Sequence, residues 1–592
     1  MSAGVPRLRP VIEEAAPGIA VVRDTCNVYV LRRGEAAVVV DFGAGRVLDL
    51  LPELGVSRIT DVLLTHHHRD QAQGLDRAVE AGIRIWAPPF DADLVADVER
   101  HWLSRPLDAD YDLREDRFSL LADVPIDGVV PEYRTRRFGE IDVYTLPTPG
   151  HTFGSVTYIV EHEGSRVAFV GDLLHDGGRV WSLAATQWTY SGIEGLESTI
   201  ISLDQLERQH VDLVLPSHGG AILDPQAVAT TRDRVARLTR LRAGPEWALE
   251  ERLRQPFEEI TPHLWRNRTT FASSYLLFSE NGRALGIDFG YDQAALRRPL
   301  LWSLAGVEVD AVIVTHFHDD HVAGLNLIRD ARGTEVWAPE HVAPILEKPH
   351  CYDLPCLWLE PIPVDRVLQL EEPFTWNEYE LTVYPLPGHT LFAGAVSFEV
   401  DGLRVLATGD QWGLAGKRTT LNYQHRNRFR RHDFVETAEL VRQLKPDMII
   451  SGHWLPHRVD AAFFDEIEDD ARELAELHDE LLPENGLGDG GFAARLEPYR
   501  TTTSAGGEYE LTAIVRNPFA RDETARLQLV FPPDWSVDRS TQELELDAHG
   551  EGTAVFRIRV GDEPVRRARV AVDLTVGEEP FGQQAESLVD VE

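Results

Sequence analysis

The stretch THFHDDHVAG, residues 315–324, collects His316, His318, Asp320 and His321 within six positions. Imidazole and carboxylate without thiolate suit Zn2+, and also Fe or Mn. In an extended loop alternate side chains point the same way, so His316 and His318 can grip one ion together. Asp320 and His321 follow where the chain turns into a helix, and they can face a second ion. A bound cation lowers the pKa of its water from about 15.7 to about 7, which makes a nucleophile at neutral pH. One loop supplies too few ligands for two ions. Three downstream residues complete the set: His389 in GHT, Asp410 in GD and His453 in GH.

The same order of landmarks occurs earlier in the chain. THHHRDQAQG (65–74) is a near-copy of the first stretch, with Gln71 in place of the last histidine. VYVLRRGEAAVVVDFGAG matches SSYLLFSENGRALGIDFGYD, and VYTLPTPGHTFGSVTYIVE matches VYPLPGHTLFAGAVSFEV. VAFVGD and VLPSHGG match VLATGD and IISGHW. Six landmarks in one order at a nearly constant offset identify an internal duplication. Each His-rich segment follows a β-branched run, DVLLT or DAVIVT, which reads as a buried strand presenting the histidines at its end. Helix-like segments follow each loop and precede each last histidine, so the expected class is α/β with helices covering sheets. Residues 222–257 and 459–482 read as helices closing the two copies. Beyond ENGLGDGG (484–491), five or more short alternating runs read as an antiparallel β-sandwich of immunoglobulin-like size. Its expected role is packing or dimer formation, with carbohydrate or partner binding as the functional alternative. The expected domains are residues 1–257, 258–486 and 487–592.

A length of 592 residues exceeds one hydrophobic core, and 43% hydrophobic with 26% charged residues is ordinary for a soluble globular chain. The formal charge of −39 works against nucleic-acid binding, which needs clustered Lys and Arg. Three cysteines, Cys26, Cys351 and Cys356, make no disulfide framework, and the chain reads as cytoplasmic. No apolar run is long enough for a transmembrane helix, and the N-terminal residues lack a signal-like apolar region. Homo-oligomerisation is left open.

The ordered set HxHxDH, GHT, GD and GH resembles the metallo-β-lactamase superfamily over roughly residues 10–225 and 258–460. The resemblance implies two tandem αββα sandwiches with metals at one sheet edge. It implies that His316, His318 and His389 hold one metal, that Asp320, His321 and His453 hold a second, and that Asp410 bridges them. The first copy aligns as His66, His68, Asp70, Gln71, His151, Asp172 and His218. An amide oxygen is a weak neutral ligand for zinc. The expectation is therefore two Zn2+ in the second copy and one or two in the first, with the second copy as the working site. His67, at a non-ligand position, reads as a surface histidine.

Between Asp410 and His453 lies KRTTLNYQHRNRFRRH, residues 417–432, with Lys417, Arg418, Arg426, Arg428, Arg430 and Arg431 and no acid. Such local sign inversion suggests steering of a small, anionic substrate, with Arg426 and Arg428 as candidate contacts; the structural alternative is neutralisation of neighbouring acids. Tyr423 and His425 are candidate donors to a developing oxyanion. The corresponding first-copy segment is aromatic, with Trp181, Trp188 and Tyr190. The expected reaction is hydrolysis of an ester, thioester, lactone or phosphoester, with Asp320 or a metal-bound water protonating the leaving group. Short intervals between motifs and the acidic charge disfavour the family's nucleases. The alternatives are a mononuclear-iron oxygenase similar to persulfide dioxygenases, for which His66, His151 and Asp172 would supply the triad, and a non-catalytic metal-binding scaffold.

Overall fold

The computed structural model describes residues 12–105, 118–183, 194–224, 226–244, 247–295, 298–414, 419–482 and 492–592. Contacts divide the chain into two compact units. One comprises Met1–Pro256 with Asp292–Ala305, the other Phe257–Tyr291 with Gly306–Glu592.

In the first unit a seven-stranded sheet runs in chain order from Ile12–Ala16 to Gly128–Val129. Its later strands, from Ala36–Val40 to Gly128–Val129, pair in parallel. A five-stranded sheet, Arg134–Phe138 to Leu213–Pro216, packs on it. Strand Asn27–Arg33 shows why its run Val28–Leu31 is apolar throughout. Tyr29 and Leu31 enter the core between the sheets, whereas Val28 and Val30 enter the core on the helix-covered face. Leu203 and Leu206 of helix Glu194–Glu207 cover the outer face of the second sheet. The result is the αββα layering that the resemblance implies. Each fully buried large apolar side chain, such as Phe169, contributes roughly 1.5–3 kcal/mol.

Segment Asp292–Ala305 follows the second copy's first hairpin yet belongs to the first unit. Arg298 within it is fully buried, pairs with Glu132, donates to the Phe153 carbonyl and lies over the Phe90 ring. A buried guanidinium needs this fork of partners, and breaking the pair would strand a charge.

The second unit repeats the layers. A seven-stranded sheet, Phe257–Thr261 to Arg366–Leu368, faces a six-stranded one, Pro373–Trp376 to His457–Arg458, across a shared core. The 21-residue helix Ala461–Leu481, N-capped by Asp460, packs on the outer face of the second sheet. The C-terminal region is all-β: a four-stranded and a five-stranded sheet enclose a core that includes Leu511, Phe556, Leu527 and Leu574. All three cysteines are free. Among the described residues no helix is long and apolar enough to cross a membrane.

Candidate functional site

In the second unit every candidate ligand follows the carboxyl end of a strand. Strand Val309–Ile313 lies between two parallel neighbours and delivers Thr315 and His316. Asp288, at the end of strand Ala284–Ile287, accepts from the Thr315 amide and hydroxyl, both at 2.7 Å. Thr315 Oγ1 lies 3.1 Å from His316 Nδ1, and Asp288 Oδ2 lies 2.8 Å from His321 Nδ1. One buried carboxylate thus orients two imidazoles. His318 caps helix Asp319–Val322, so Asp320 and His321 occupy its first turn. Gly290 must lack a side chain, because a Cβ there would lie 1.6 Å from the Asp320 carbonyl. From the second sheet, His389 follows strand Tyr379–Pro385, Asp410 follows Leu403–Ala407, and His453 follows Met448–Ile450.

These residues converge into two groups that share Asp410. His316, His318, His389 and Asp410 offer atoms within 4.8 Å of one another, as do Asp320, His321, Asp410 and His453. His389 Nε2 is 3.2 Å from His318 Nδ1, and His453 Nε2 is 3.0 Å from Asp320 and 3.1 Å from Asp410. His321 Nε2 and Asp410 Oδ1 face each other at 3.3 Å without hydrogen-bond alignment. Those two atoms and His316 Nε2 are buried and have no hydrogen-bond partner among the described residues. A buried polar atom left unpartnered costs about 1–3 kcal/mol, and a cation shared between them removes that cost. The donor set therefore fits one or two divalent metals.

Electrostatics agree. Burial, with His389 and His321 adding to it, lowers His318 to about 3, and burial lowers His316 and His389 as well, leaving neutral imidazoles. Burial opposes the charged form of His453, but hydrogen bonds to Asp320 and Asp410 outweigh it and raise the group to about 9. Burial would raise Asp410, yet the neighbouring His321 and His453 hold it well below the usual range. Between pH 6.5 and 9 His453 thus keeps a proton that an exposed imidazole would release, and a cation must displace it.

The first unit assembles its copy on the same frame. His66, His68 and His151 form one group within 4.8 Å, and Asp70, Asp172 and His218 form another. His151 Nε2 lies 3.0 Å from His68 Nδ1, and Asp172 approaches His151 at 3.5 Å and His66 at 3.7 Å. His218 is clasped on both sides, Nδ1 to Asp172 at 2.8 Å and Nε2 to Asp70 at 3.3 Å, under the stacked ring of Trp181 at 4.0 Å. Burial opposes its charge, but the two aspartates push it up to about 10. Gln71 is fully buried and donates to Asp172 at 3.3 Å. His67 is not on the surface: it is buried, and its Nδ1 lies 2.8 Å from Asp91, which also accepts from Thr152 and Gly154. That pairing makes His67 a pin between the metal loop and the GHT turn.

The basic segment makes contacts of its own. Tyr423 and His425 cluster with Phe429 and His478 of the long helix, with His425 Nε2 3.0 Å from His478 Nε2. Both rings are thus engaged in packing contacts. Arg428 pairs with Glu497 at 3.6 Å and lies over Tyr352 and Phe392, so it ties the all-β region to the site wall. Arg426 pairs with Asp353 at 3.2 Å, Arg430 with Asp433 at 2.7 Å, and Arg431 with Asp479. Four arginines of the segment thus meet acidic partners, as the neutralisation alternative expects. Lys417, Arg418, Trp188 and Tyr190 lie outside the described residues. Sequence reasoning passed over Asp288 and Asn427. The buried Asn427 amide sits 3.0 Å from His318 Nε2 and donates to the His389 carbonyl at 3.2 Å. The DFG that recurs in both copies was the available signal for Asp288.

A family sequence model described as metallo-beta-lactamase superfamily matches residues 21–243 and 268–453, more than half of the chain. A hydroxyacylglutathione hydrolase of Methylobacterium sp. (strain 4-46) is 33% identical over 132 residues, 22% of this chain and 40% of that protein. Another from Methylobacterium nodulans is 32% identical over the same shares of both chains. The chain thus spans well under half the length of these curated relatives. A solved metallo-beta-lactamase of Cronobacter sakazakii with a HARLDQ motif aligns at 19% identity and a TM-score of 0.30, covering 39% of this chain and 92% of that one.

Proposed function

The chain belongs to the metallo-beta-lactamase superfamily, and from that premise we propose that its second αββα domain is a dinuclear, zinc-dependent hydrolase. The observation that supports this reading is Asp410, placed within reach of both ligand groups beside unpartnered buried atoms of His316 and His321. Metals held there would supply Lewis acidity and a water acidic enough to lose its proton near neutral pH.

The chain's own residues do the rest. His316, His318 and His389 are neutral donors that Thr315, Asp288 and Asn427 orient. Burial opposes ionisation of Asp320, but His321 and His453 outweigh it and lower the group. Asp320 therefore stands ionised, suited to accept a proton at Oδ2 and pass it to the departing oxygen or sulfur, rather than to begin as the acid. The substrate carries an ester, thioester, lactone or phosphoester bond, and the relatives named hydroxyacylglutathione hydrolase favour an acyl bond. Arg426, an exposed side chain paired with Asp353 at 3.2 Å, is the remaining candidate contact for an anionic group.

The full chain, stripped by chelation and reloaded with zinc, is expected to hydrolyse at least one of an S-acyl thioester, an aryl ester, an acyl-homoserine lactone and bis(p-nitrophenyl) phosphate. Activity should disappear in the stripped protein. A zinc-loaded protein that turns over none of the four would refute the hydrolase reading.

A further inference from the structure

We infer that Gln71 and Ser217 are one coupled exchange. Serine at 217 fits only without an imidazole at 71, and together the two residues take a ligand from the second metal position of the first domain. This leaves one tightly held metal at His66, His68 and His151. The metal-binding part rests on the reading above; the coupling does not.

The two domains share the same main-chain frame at both positions. The Gln71 carbonyl accepts from the Phe42 and Gly43 amides, both at 2.9 Å, as the His321 carbonyl accepts from Phe289 at 2.8 Å. The Ser217 amide donates to Gly171 at 2.8 Å, as the Gly452 amide donates to Gly409 at 3.0 Å. Position 217 therefore corresponds to 452, and position 71 to 321.

In the second domain a side chain at 452 is excluded. A Cβ there would lie 2.3 Å from Asp410 Oδ1, the oxygen that faces His321, and 2.5 Å from His321 Cε1, and neither atom can give way while the His321 ring is in place. In the first domain Ser217 is accommodated and buried, and Gln71 is the residue that replaces the ring. The serine also takes over the ring's hydrogen bond. Ser217 Oγ donates to Asp41 Oδ2 at 2.6 Å, where in the second domain His321 Nδ1 lies 2.8 Å from Asp288 Oδ2. Asp41 and Asp288 share the same left-handed backbone, φ 58° and 56°, and both hold the threonine before the first histidine. The Gln71 amide turns a donor, not a ligand atom, to Asp172. Restoring histidine at 71 alone would therefore place a ring against Ser217 and leave the ring's partner Asp41 oxygen already taken.

The test uses the full chain dialysed against buffered zinc, with metal counted by mass spectrometry and melting temperature recorded with and without metal. The wild type should retain about three equivalents, Gln71→His no more than that, and Gln71→His/Ser217→Gly about four. Reciprocally, Gly452→Ser should lose an equivalent and lower the metal-free melting temperature, and adding His321→Gln should recover the lost melting temperature. Four equivalents in the wild type, a gain in Gln71→His as large as in the double variant, or Gly452→Ser behaving like the wild type would each overturn the exchange. A wild type that binds no zinc would refute the metal reading and the single-metal assignment that rests on it. The metal-free rescue of Gly452→Ser by His321→Gln would then still decide the coupling.

Discussion

Replacing Asp410 by alanine is expected to lower kcat/KM on any ester hydrolysed by the second domain by about a thousand-fold or more, because metal-borne charge stabilisation is worth several kcal/mol. Asp410 belongs to both ligand groups, so its loss disturbs both at once. Its Oδ2 is 3.1 Å from His453 and 3.8 Å from His389, and its Oδ1 faces His321. Removing the carboxylate leaves three imidazoles facing a vacated, buried position and weakens attraction for a dication. Bound zinc should fall by at least one equivalent per chain, together with the rate. Asp410→Asn keeps the shape and removes the charge, and it should fall between wild type and alanine. Steady-state kinetics on the same samples used for metal counting check both. An Asp410→Ala protein with wild-type turnover would mean that the reaction takes place elsewhere.

The second large effect is an asymmetry between the copies. His316→Ala or His318→Ala should reduce turnover to background, whereas His66→Ala or His68→Ala should leave it within about three-fold, as expected for independent sites. The asymmetry follows from the ligand sets. The second domain keeps His321 beside Asp410 and Asp320, while the first has a buried amide at that position and a His218 ring clasped between Asp70 and Asp172. Comparing four single variants on one substrate checks it. Equal losses from both pairs would contradict the assignment of the working site to the second domain.

Much of this arrangement was legible because the chain carries it twice. Duplication marked His389, Asp410 and His453 as companions of a loop more than 60 residues upstream, and strand patterning placed that loop at a strand end. What stayed hidden depended on long-range partners or on side-chain direction. His67 sits at an unused position of the motif, and only the fold brings Asp91 to its ring. Arg428 lies in an acid-free stretch, but its acid, Glu497, comes from the all-β region. Tyr423 and His425 neighbour the site in sequence, yet their rings turn to His478. The place of Asp292–Ala305 in the first unit joins Arg298 to Glu132 and packs Leu300 and Trp302 with Ile200, partners that no local pattern encodes. Gly452 belongs to the GH landmark, and only the fold brings its missing Cβ against His321 and Asp410.

The most direct measurement is anomalous scattering at the zinc edge from crystals of the zinc-loaded chain. The account predicts two peaks in the second domain. One should lie about 2.0–2.1 Å from nitrogens of His316, His318 and His389, the other beside Asp320, His321 and His453, with Asp410 reaching both. No peak among these residues, with their imidazoles and carboxylates bonded directly to one another, would contradict it.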